Sequence, residues 1–441
     1  MSTTSTRIDF IQELAWRGLL HQKTAERELE AHLAAPGRVA YCGFDPTADS
    51  LTIGHLIQAK LLMHWQQAGH KPIVLIGGGT GLIGDPSGKD AERQLLTREQ
   101  VEANVAGQRK IMERLLDFDP RNPNAAVMVN NADWLCDLKF IDVLRDVGKH
   151  FSVNVMIQKD SVKERLHGRE QGISYTEFSY MILQAYDFLH LKRTHNCTVQ
   201  TAGSDQFGNI VAGIDLIRRE FGPDQAFGVT SVLVKRADGK KIGKTEKGAV
   251  WLSPDRTSPY AFYQYWINVD DQDVIPFLKW FTMKGREEIE GIASQHERAP
   301  HERNAQRELA RTMTRMIHGE DNLRHVEAAT AALFSGDVRG LGAAILHQIL
   351  ADIPHKQLSR EQVIGQSFVD LLVETEVAQS KRQAREFIQQ GAIAASGVQI
   401  TDPMAVVEDR YILEPHTILI RRGKKNWYGI DLVDMPAEDI F

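Results

Sequence analysis

Residues Tyr41-Cys42-Gly43-Phe44-Asp45-Pro46-Thr47-Ala48-Asp49-Ser50-Leu51-Thr52-Ile53-Gly54-His55 constrain the fold more than any other stretch. They read as a short buried strand (Arg38 to Gly43), a loop, and a helix starting near Ser50. Ser50 is the expected N-cap, with Leu51, Leu56, Leu61 and Leu62 following at roughly helical spacing. A strand that empties into a helix N-terminus leaves backbone N–H groups where a phosphate can sit. Gly43 and Gly54 let a ligand approach the backbone. An ordinary strand–turn–helix with a buried histidine fits the same residues. The next apolar run, Pro72-Ile73-Val74-Leu75-Ile76, completes a strand–helix–strand order and so predicts a parallel sheet with a crossover.

At 441 residues the chain should split into about three domains. Charged residues at 25% and hydrophobic ones at 42% are ordinary for a soluble protein, and no window has the apolar length of a membrane span. The polar start has no signal-peptide core, so a cytoplasmic location is expected. Cys42, Cys136 and Cys197 are too scattered for a disulfide framework or a zinc site. A net charge of −6 excludes a uniformly basic surface, so any nucleic-acid contact requires local clustering of basic residues.

The first two helices are predicted over 7–20 and 24–34. After the strand at 72–76, Gly79, Gly81 and Gly84 match the G-x-G-x-x-G spacing of dinucleotide folds, but Asp85-Pro86-Ser87-Gly88 follows where that motif needs a helix. Gly88-Lys89 resembles the end of a P-loop, but Ile83 and Asp90 break the pattern. What remains is a glycine-rich loop presenting Asp85, Lys89 and Arg93. Helix 97–117 and strand Ala126-Val127-Met128-Val129 follow, then a polar helical region in which Lys159, Lys163, Arg165 and Arg169 read as a solvated face.

The helix from Thr176 to Leu191 is apolar on nearly every side, yet Tyr180, Gln184 and Asp187 stand at i, i+4 and i+7 on one face. At 1.5 Å per residue this polar ladder spans roughly 10 Å. A buried carboxylate needs a partner. A hydrogen-bonded core network and a slot for a small molecule, polar at both ends and apolar between, both satisfy that need. Strand Cys197 to Thr201 then opens into Gly203-Ser204-Asp205-Gln206, a loop suited to sugar hydroxyls and carboxylates but also a plain turn. Lys240, Lys241 and Lys244 crowd a glycine-bearing turn that reads either as an exposed hairpin tip or as a lid over a polyphosphate.

From Ser258-Pro259 the pattern is helical to about residue 350, with Arg303, Arg307, Arg311 and Arg315 recurring every four residues as a stripe that reads as a solvated face but would also suit phosphates. Strand signals return only near residue 392. Ser380-Lys381-Arg382-Gln383-Ala384-Arg385 opens a capped basic helix ending at Gly391. A hairpin turning at Ser396-Gly397 and a last hairpin bearing Arg421-Arg422-Gly423-Lys424-Lys425 follow. Lys381, Arg382, Arg385, Arg421, Arg422, Lys424 and Lys425 are the local basic cluster that the net charge demands, and they point to contact with an RNA or DNA backbone.

Together these stretches resemble the bacterial tyrosyl-tRNA synthetases of class I. The opening stretch is similar to that family's HIGH-type signature, Lys241-Ile242-Gly243-Lys244-Thr245 to its KMSKS loop, and the Gly84–Lys89 loop, the ladder helix and Gly203–Gln206 also match, in the family's order. The resemblance implies an α/β fold: a Rossmann-like parallel-sheet catalytic domain over 1–257, a helical anticodon-side domain over 258–350, a linker over 351–365 and a small α+β RNA-binding module over 366–441. It implies that Tyr41 and Asp187 bind the tyrosine hydroxyl, that Asp85, Tyr180 and Gln184 hold the amino group, and that Gln206 sits near the carboxylate. Cys42, Gly43, Asp45, Gly54, His55, Gly203, Asp205 and Lys244 would contact ATP. Thr47, His55, Lys89, Arg93, Lys241, Lys244 and Thr245 would serve the pyrophosphate path as the catalytic set. It also implies Mg²⁺ carried by the ATP, no dedicated metal site, tRNA(Tyr) as partner, and a homodimer.

Two positions depart from the family pattern: Thr52 where histidine is usual, and Phe207 where tryptophan is common. Two other classes remain open at this point. One is a nucleotide-dependent oxidoreductase resting on Gly79, Gly81 and Gly84. The other is an RNA-binding or RNA-modifying protein using the last module.

Overall fold

A computed structural model of the chain describes residues 8–85, 96–159, 162–163, 173–245 and 248–433. It forms two compact units, Met1–Arg256 with Val269–Leu309, and Thr257–Asn268 with Ala310–Phe441.

The first unit is built on a six-stranded sheet: β1 (Leu20–Lys23), β2 (Val39–Phe44), β3 (Lys71–Ile76), β4 (Val127–Asn130), β5 (Val199–Gly203) and β6 (Phe227–Ser231). Their spatial order is β1-β6-β5-β2-β3-β4. Strands β2 to β6 pair in parallel, and β1 pairs antiparallel with β6 at the edge. The expected parallel sheet is therefore present with one antiparallel edge. β1 occupies the gap between the two expected leading helices, overlapping the first only at Leu20. The helices are confined to Phe10–Arg17 and Glu26–Leu33, because Gly18, in the left-handed region at φ 70°, ends the first.

Helix Ile53–Gln67 carries the crossover from β2 to β3. Its Leu56, Ile57, Leu61 and Trp65 are fully buried, and the Trp65 indole N–H donates to the carbonyls of Arg38 and Lys71 at 3.2 and 3.1 Å. One tryptophan thus ties the beginnings of both strands to the helix between them. Burying four such side chains removes enough apolar surface to hold the helix on the sheet at ~2 kcal/mol each. Ser50 is not the cap. Its hydroxyl is buried against the Leu51 carbonyl and the Ser253 N–H, and Thr52 stands at the N-cap.

The second unit contains helix Pro259–Ile267, opened by Ser258 accepting from the Ala261 N–H, and Ala343–Asp352. Its sheet is more than the two expected hairpins. Besides β10 (Ile393–Ala395), β11 (Val398–Ile400), β12 (Thr417–Arg422) and β13 (Asn426–Val433), a strand β9 (His355–Ser359) pairs in parallel with β13. The segment read as a linker therefore supplies an edge strand. Its sequence, His-Lys-Gln-Leu-Ser, has one apolar residue, Leu358, turned to the core, too little alternation to announce a strand. The two-stranded ribbon of β7 (Lys244–Thr245) and β8 (Gly248–Ala249) belongs to the first unit. Helix Lys381–Gln389 begins as expected at Ser380, whose hydroxyl caps Gln383 N–H, and buries Ala384 and Ile388 in the sheet core.

Candidate active site

Strand β2 enters the sheet first among the parallel strands. β3 and β4 follow on one side of it, β5 and β6 on the other. At such a switch point the connections leave in opposite directions, and a crevice opens beyond the carboxyl ends of the strands. The register shows the parting. β2 pairs with β3 as far as Phe44 and Ile76, and β5 with β6 as far as Gly203 and Ser231. β2 pairs with β5 only at Ala40–Val199 and Tyr41–Gln200. A cleft of about 330 Å³ fills the gap, lined by Tyr41, Cys42, Gly43, Asp45, Thr47, Gly54, His55, Asp85, Tyr180, Gln184, Asp187, Gly203, Asp205 and Gln206 among others.

One end of the cleft is buried and pre-assembled. The Asp187 carboxylate is 1% exposed and accepts on both oxygens, from Asn131 Nδ2 at 2.9 Å and Trp134 Nε1 at 2.8 Å. Burial raises its pKa to about 7 against the opposing pull of those two donors, with the Asp45 charge adding to the rise. The Tyr41 hydroxyl, fully buried within reach of the Asp187 charge, has no hydrogen-bond partner among the described residues. An unmade buried hydrogen bond costs roughly 1–3 kcal/mol, so this hydroxyl awaits an incoming polar group. Tyr180, on the same helix Tyr175–His195, donates its hydroxyl to Asp45 Oδ2 at 2.9 Å; Asp45 Oδ1 accepts from Thr80 at 2.8 Å. Burial, then Asp45 and Asp85, push the Tyr180 phenol well above its ordinary pKa, so it stays a donor. The Gln206 amide donates to Asp85 Oδ2 at 2.8 Å, and Asn209 joins Gln184 to Gln206 at 3.0 and 3.1 Å.

Gly77 is required where β3 leaves the sheet. A Cβ there would stand 2.2 Å from Asp45 Oδ1 and 2.4 Å from Thr80 Oγ1, displacing both carboxylate and hydroxyl. Gly79 precedes a 3₁₀ turn (Thr80–Leu82), Gly81 lies in it and Gly84 follows it, so the three do not open a dinucleotide-binding helix.

The other end is open. His55, at the third position of helix Ile53–Gln67, accepts on Nδ1 from the Thr52 backbone N–H at 3.1 Å, with Thr52 Oγ1 3.2 Å away. A backbone N–H can only donate, so Nδ1 is the unprotonated nitrogen and Nε2 carries the proton, as a donor beside the cleft. Thr52 itself does not line the cleft. The lysine turn is docked on this helix start: Ile53 N–H donates to the Val250 carbonyl, Val250 N–H to Gly243, and Leu252 N–H to Leu51. Gly243, at φ 75°, passes so near that a Cβ would sit 3.1 Å from the Ile53 Cβ. Buried Ile242 anchors the turn while Lys241, Lys244 and Thr245 are exposed. Cys42 lines this region as a thiol whose pKa burial pushes up to about 12, so it is no nucleophile. Burial likewise raises Asp205 above the usual carboxylate range.

The tertiary structure thus brings the whole tyrosine set, and all of the ATP set but Lys244, into the lining of one cleft, together with Thr47; Lys241, Lys244 and Thr245 do not line it and stand exposed on the turn docked against the helix start. Lys89 and Arg93 lie outside the described residues, as do Arg165 and Arg169 of the expected basic face. Lys159 of that face is not solvated: it is half-buried with its ammonium on the Gly208 carbonyl, and desolvation lowers its pKa to about 8. Asn131, Trp134, Thr80 and Asn209 were missed in the sequence. Only their place just beyond β3, β4 and β5, at the carboxyl edge of the sheet, marks them out.

In the second unit, Arg385, Lys424 and Lys425 are exposed, Lys381 pairs with Asp370 at 2.6 Å, and Arg382 lies 3.6 Å from Glu386. Arg421 and Arg422 are half-buried. Arg421 stacks on Trp427, and Arg422 donates to the Val377 carbonyl at 2.6 Å while lying over Phe387 and Tyr428. Each arginine of the 303–315 stripe has an acidic or carbonyl neighbour: Arg303 with the Val269 carbonyl, Arg307 with that of Glu302, Arg311 with Glu327, Arg315 with Glu320.

Residues 37–335 match the family described as tRNA synthetases class I (W and Y), and residues 346–430 match the tyrosine–tRNA ligase SYY-like C-terminal domain. The chain is 50% identical over 421 residues to the tyrosine–tRNA ligase of Staphylococcus saprophyticus, covering 96% of this chain and 98% of that one. Among solved structures, a C-terminally truncated mitochondrial tyrosyl-tRNA synthetase from Coccidioides posadasii superposes with a TM-score of 0.64 at 30% identity, covering 74% of this chain and 92% of that one. The synthetase of Archaeoglobus fulgidus complexed with L-tyrosine shares the fold, with a TM-score of 0.52 at 15% identity over 72% of this chain and 99% of that one. The chain belongs to the class I tyrosyl-tRNA synthetase family.

Proposed function

We infer that this enzyme is a tyrosine–tRNA ligase: it joins L-tyrosine to ATP as tyrosyl-adenylate, releasing pyrophosphate, and transfers the tyrosine to the 3′-terminal adenosine of tRNA(Tyr). The observation that carries the substrate is the buried end of the cleft. A phenol fits where the unsatisfied Tyr41 hydroxyl and the Asp187 carboxylate converge, and its ring and ammonium fit along the face of Tyr180 and Gln184 towards Asp85. Asn131 and Trp134 hold Asp187 from behind. Gln206 takes the substrate carboxylate side.

In the first step a carboxylate oxygen of tyrosine forms a bond to the α-phosphorus as the bond to the pyrophosphate oxygen breaks. The nucleophile is already ionised, so no general base is needed. Alignment and charge on the leaving group do the work. Gly43, Asp45, Gly54, Gly203, Asp205 and Cys42 bound the nucleotide end, and Nε2–H of His55 donates there. Thr47, Lys241, Lys244 and Thr245, with Lys89 and Arg93, serve the pyrophosphate, and Mg²⁺ enters with ATP as part of the substrate. In the second step a hydroxyl of the terminal ribose attacks the acyl carbon and AMP leaves.

The regions take these roles as catalytic (1–257), helical (258–350), connecting (351–365) and RNA-binding (366–441). Exposed Lys424, Lys425 and Arg385, with Lys381 and Arg382, supply the phosphate contacts, while Arg421 and Arg422 brace the sheet that carries them. The protein acts in the cytoplasm, in keeping with the finding that no described helix is long and apolar enough to cross a membrane. It is a homodimer. Phe140, Ile141, Leu144, Val153 and Val155, each at least 42% exposed in one short stretch of the first unit, form the apolar surface that a second copy covers. Phe140→Asp is expected to yield monomers by analytical ultracentrifugation, and an unchanged dimer would exclude this face. Tyrosine-dependent ATP–pyrophosphate exchange tests the catalytic reading, and a folded protein without it would refute the assignment.

A further inference from the structure

We propose that His190 is a specificity-positioning residue, which holds Trp134 in the orientation from which its indole N–H fixes Asp187. The inference rests on the assignment of Asp187 to the substrate phenol. His190 follows Asp187 by three residues on helix Tyr175–His195, so both project from neighbouring positions of one surface. Its imidazole lies flat on the Trp134 indole, with ring centroids 4.2 Å apart and planes within 15°. The Tyr186 ring is third in the group, 6.4 Å from His190.

The two donors to Asp187 are not equally secure. Asn131 is fully buried, and its side chain also accepts from the Gly79 N–H and donates to Thr80, so its rotamer is determined three times over. Trp134 is half-buried on a four-residue helix (Ala132–Leu135), and among the described residues its indole N–H has one hydrogen bond, the one to Asp187. Trp134 also packs at the margin of the apolar cluster that contains Tyr41 and Phe188, so removing the imidazole takes away one of the two surfaces that hold the indole and lets it tilt. Asp187 then loses the donor that orients one of its oxygens, and the acceptor presented to a phenol becomes less defined. Burial, together with the nearby His195 and Arg193, keeps the His190 pKa below its ordinary value, so the stack joins two neutral rings at neutral pH.

The test compares tyrosine and phenylalanine activation by pyrophosphate exchange in His190→Ala, His190→Phe, Trp134→Phe, Asp187→Ala and the Trp134→Phe/His190→Ala pair. Loss of the stack is expected to lower kcat/KM for tyrosine by about threefold to tenfold, with the preference over phenylalanine falling by the same factor. KM for ATP should not move. His190→Phe keeps a flat ring on the indole and should restore the preference to within about twofold. In the double variant the His190 substitution should add nothing to Trp134→Phe, because the bond it protects is already gone. Unchanged preference in His190→Ala, a fall in melting temperature alone, or losses that multiply in the double variant would each overturn the proposal. If Asp187→Ala keeps its preference, the Asp187 assignment has failed. If Asp187→Ala loses it and His190→Ala does not, only the role of His190 has.

Discussion

The two ends of the cleft are built on opposite plans. The tyrosine end is buried and assembled before anything binds: a 1% exposed carboxylate with two donors, a phenol from β2 with no partner among the described residues, and amides linked to one another. The nucleotide end is open, made of close backbone, a helix start and exposed lysines on a turn docked through Gly243. The difference follows from what each end must do. Selecting one side chain requires groups that are penalised when left unpaired, and that penalty is large only when water is excluded. Stabilising a departing pyrophosphate requires charge that meets its target as the bond breaks, which mobile, solvated ammonium groups can deliver.

The largest effect should come from breaking the buried end. Asp187→Ala leaves Asn131 and Trp134 without their acceptor and removes the carboxylate a substrate phenol would meet, and kcat/KM for tyrosine in pyrophosphate exchange should fall by about two to three orders of magnitude. Near-normal exchange in a folded variant would erase the contrast between the ends. Lys244→Ala should lower kcat by about a hundredfold while tyrosine affinity measured by calorimetry stays the same. A parallel loss of tyrosine affinity would mean that the two ends are not separable.

The buried end also predicts a pH dependence. Asp187 titrates at about 7 in the folded chain against about 4 when unfolded, so the folded state holds the proton longer. The stability this contributes is complete below about pH 4 and is lost as pH rises through about 7. Tyrosine binding runs the other way, since the phenol donates to the ionised carboxylate. Its Kd should tighten by up to about tenfold per pH unit up to about 7 and then level off, and Asp187→Asn should flatten the profile. A flat profile in the unaltered protein would mean that the phenol does not meet this carboxylate.

The smallest effect is expected at Thr52. Its hydroxyl turns to His55 rather than into the cleft, so Thr52→His should change ATP-dependent activation by no more than about threefold. A large gain in rate would place this side chain on the phosphates after all.

How much of this was legible in the chain differs by region. Local patterning announced the parallel strands β2 to β5, the buried ladder helix, the capped helix at Ser380 and both C-terminal hairpins, because each stretch decides its own pattern of burial. β1, β6 and β9 escaped notice. The four residues of β1 and the five of β9 have mixed burial and too few side chains to show a period, β6 mixes Gly228, Thr230 and Ser231 with two apolar residues, and the strand character of each comes from partner strands far away in sequence. The N-cap was misplaced by two residues because Ser50 and Thr52 are equally good caps locally, and the Ser253 N–H claimed the first.

The residue types at the site were likewise visible in sequence: a polar ladder with an acid at its end, a lysine turn between glycines, and a strand emptying into a helix. Their local chemistry and spacing determined that a small molecule with polar ends and a phosphorylated partner could be served. Only the tertiary structure decided that Asp187 meets Asn131 and Trp134, that the Tyr41 hydroxyl has no described partner, and that Lys159 and Arg422 are committed inside the protein. Those facts depend on which strands part and which side chains share a dry volume. Burial and the pairing of polar groups are properties of the packed whole, and no single stretch of chain encodes them.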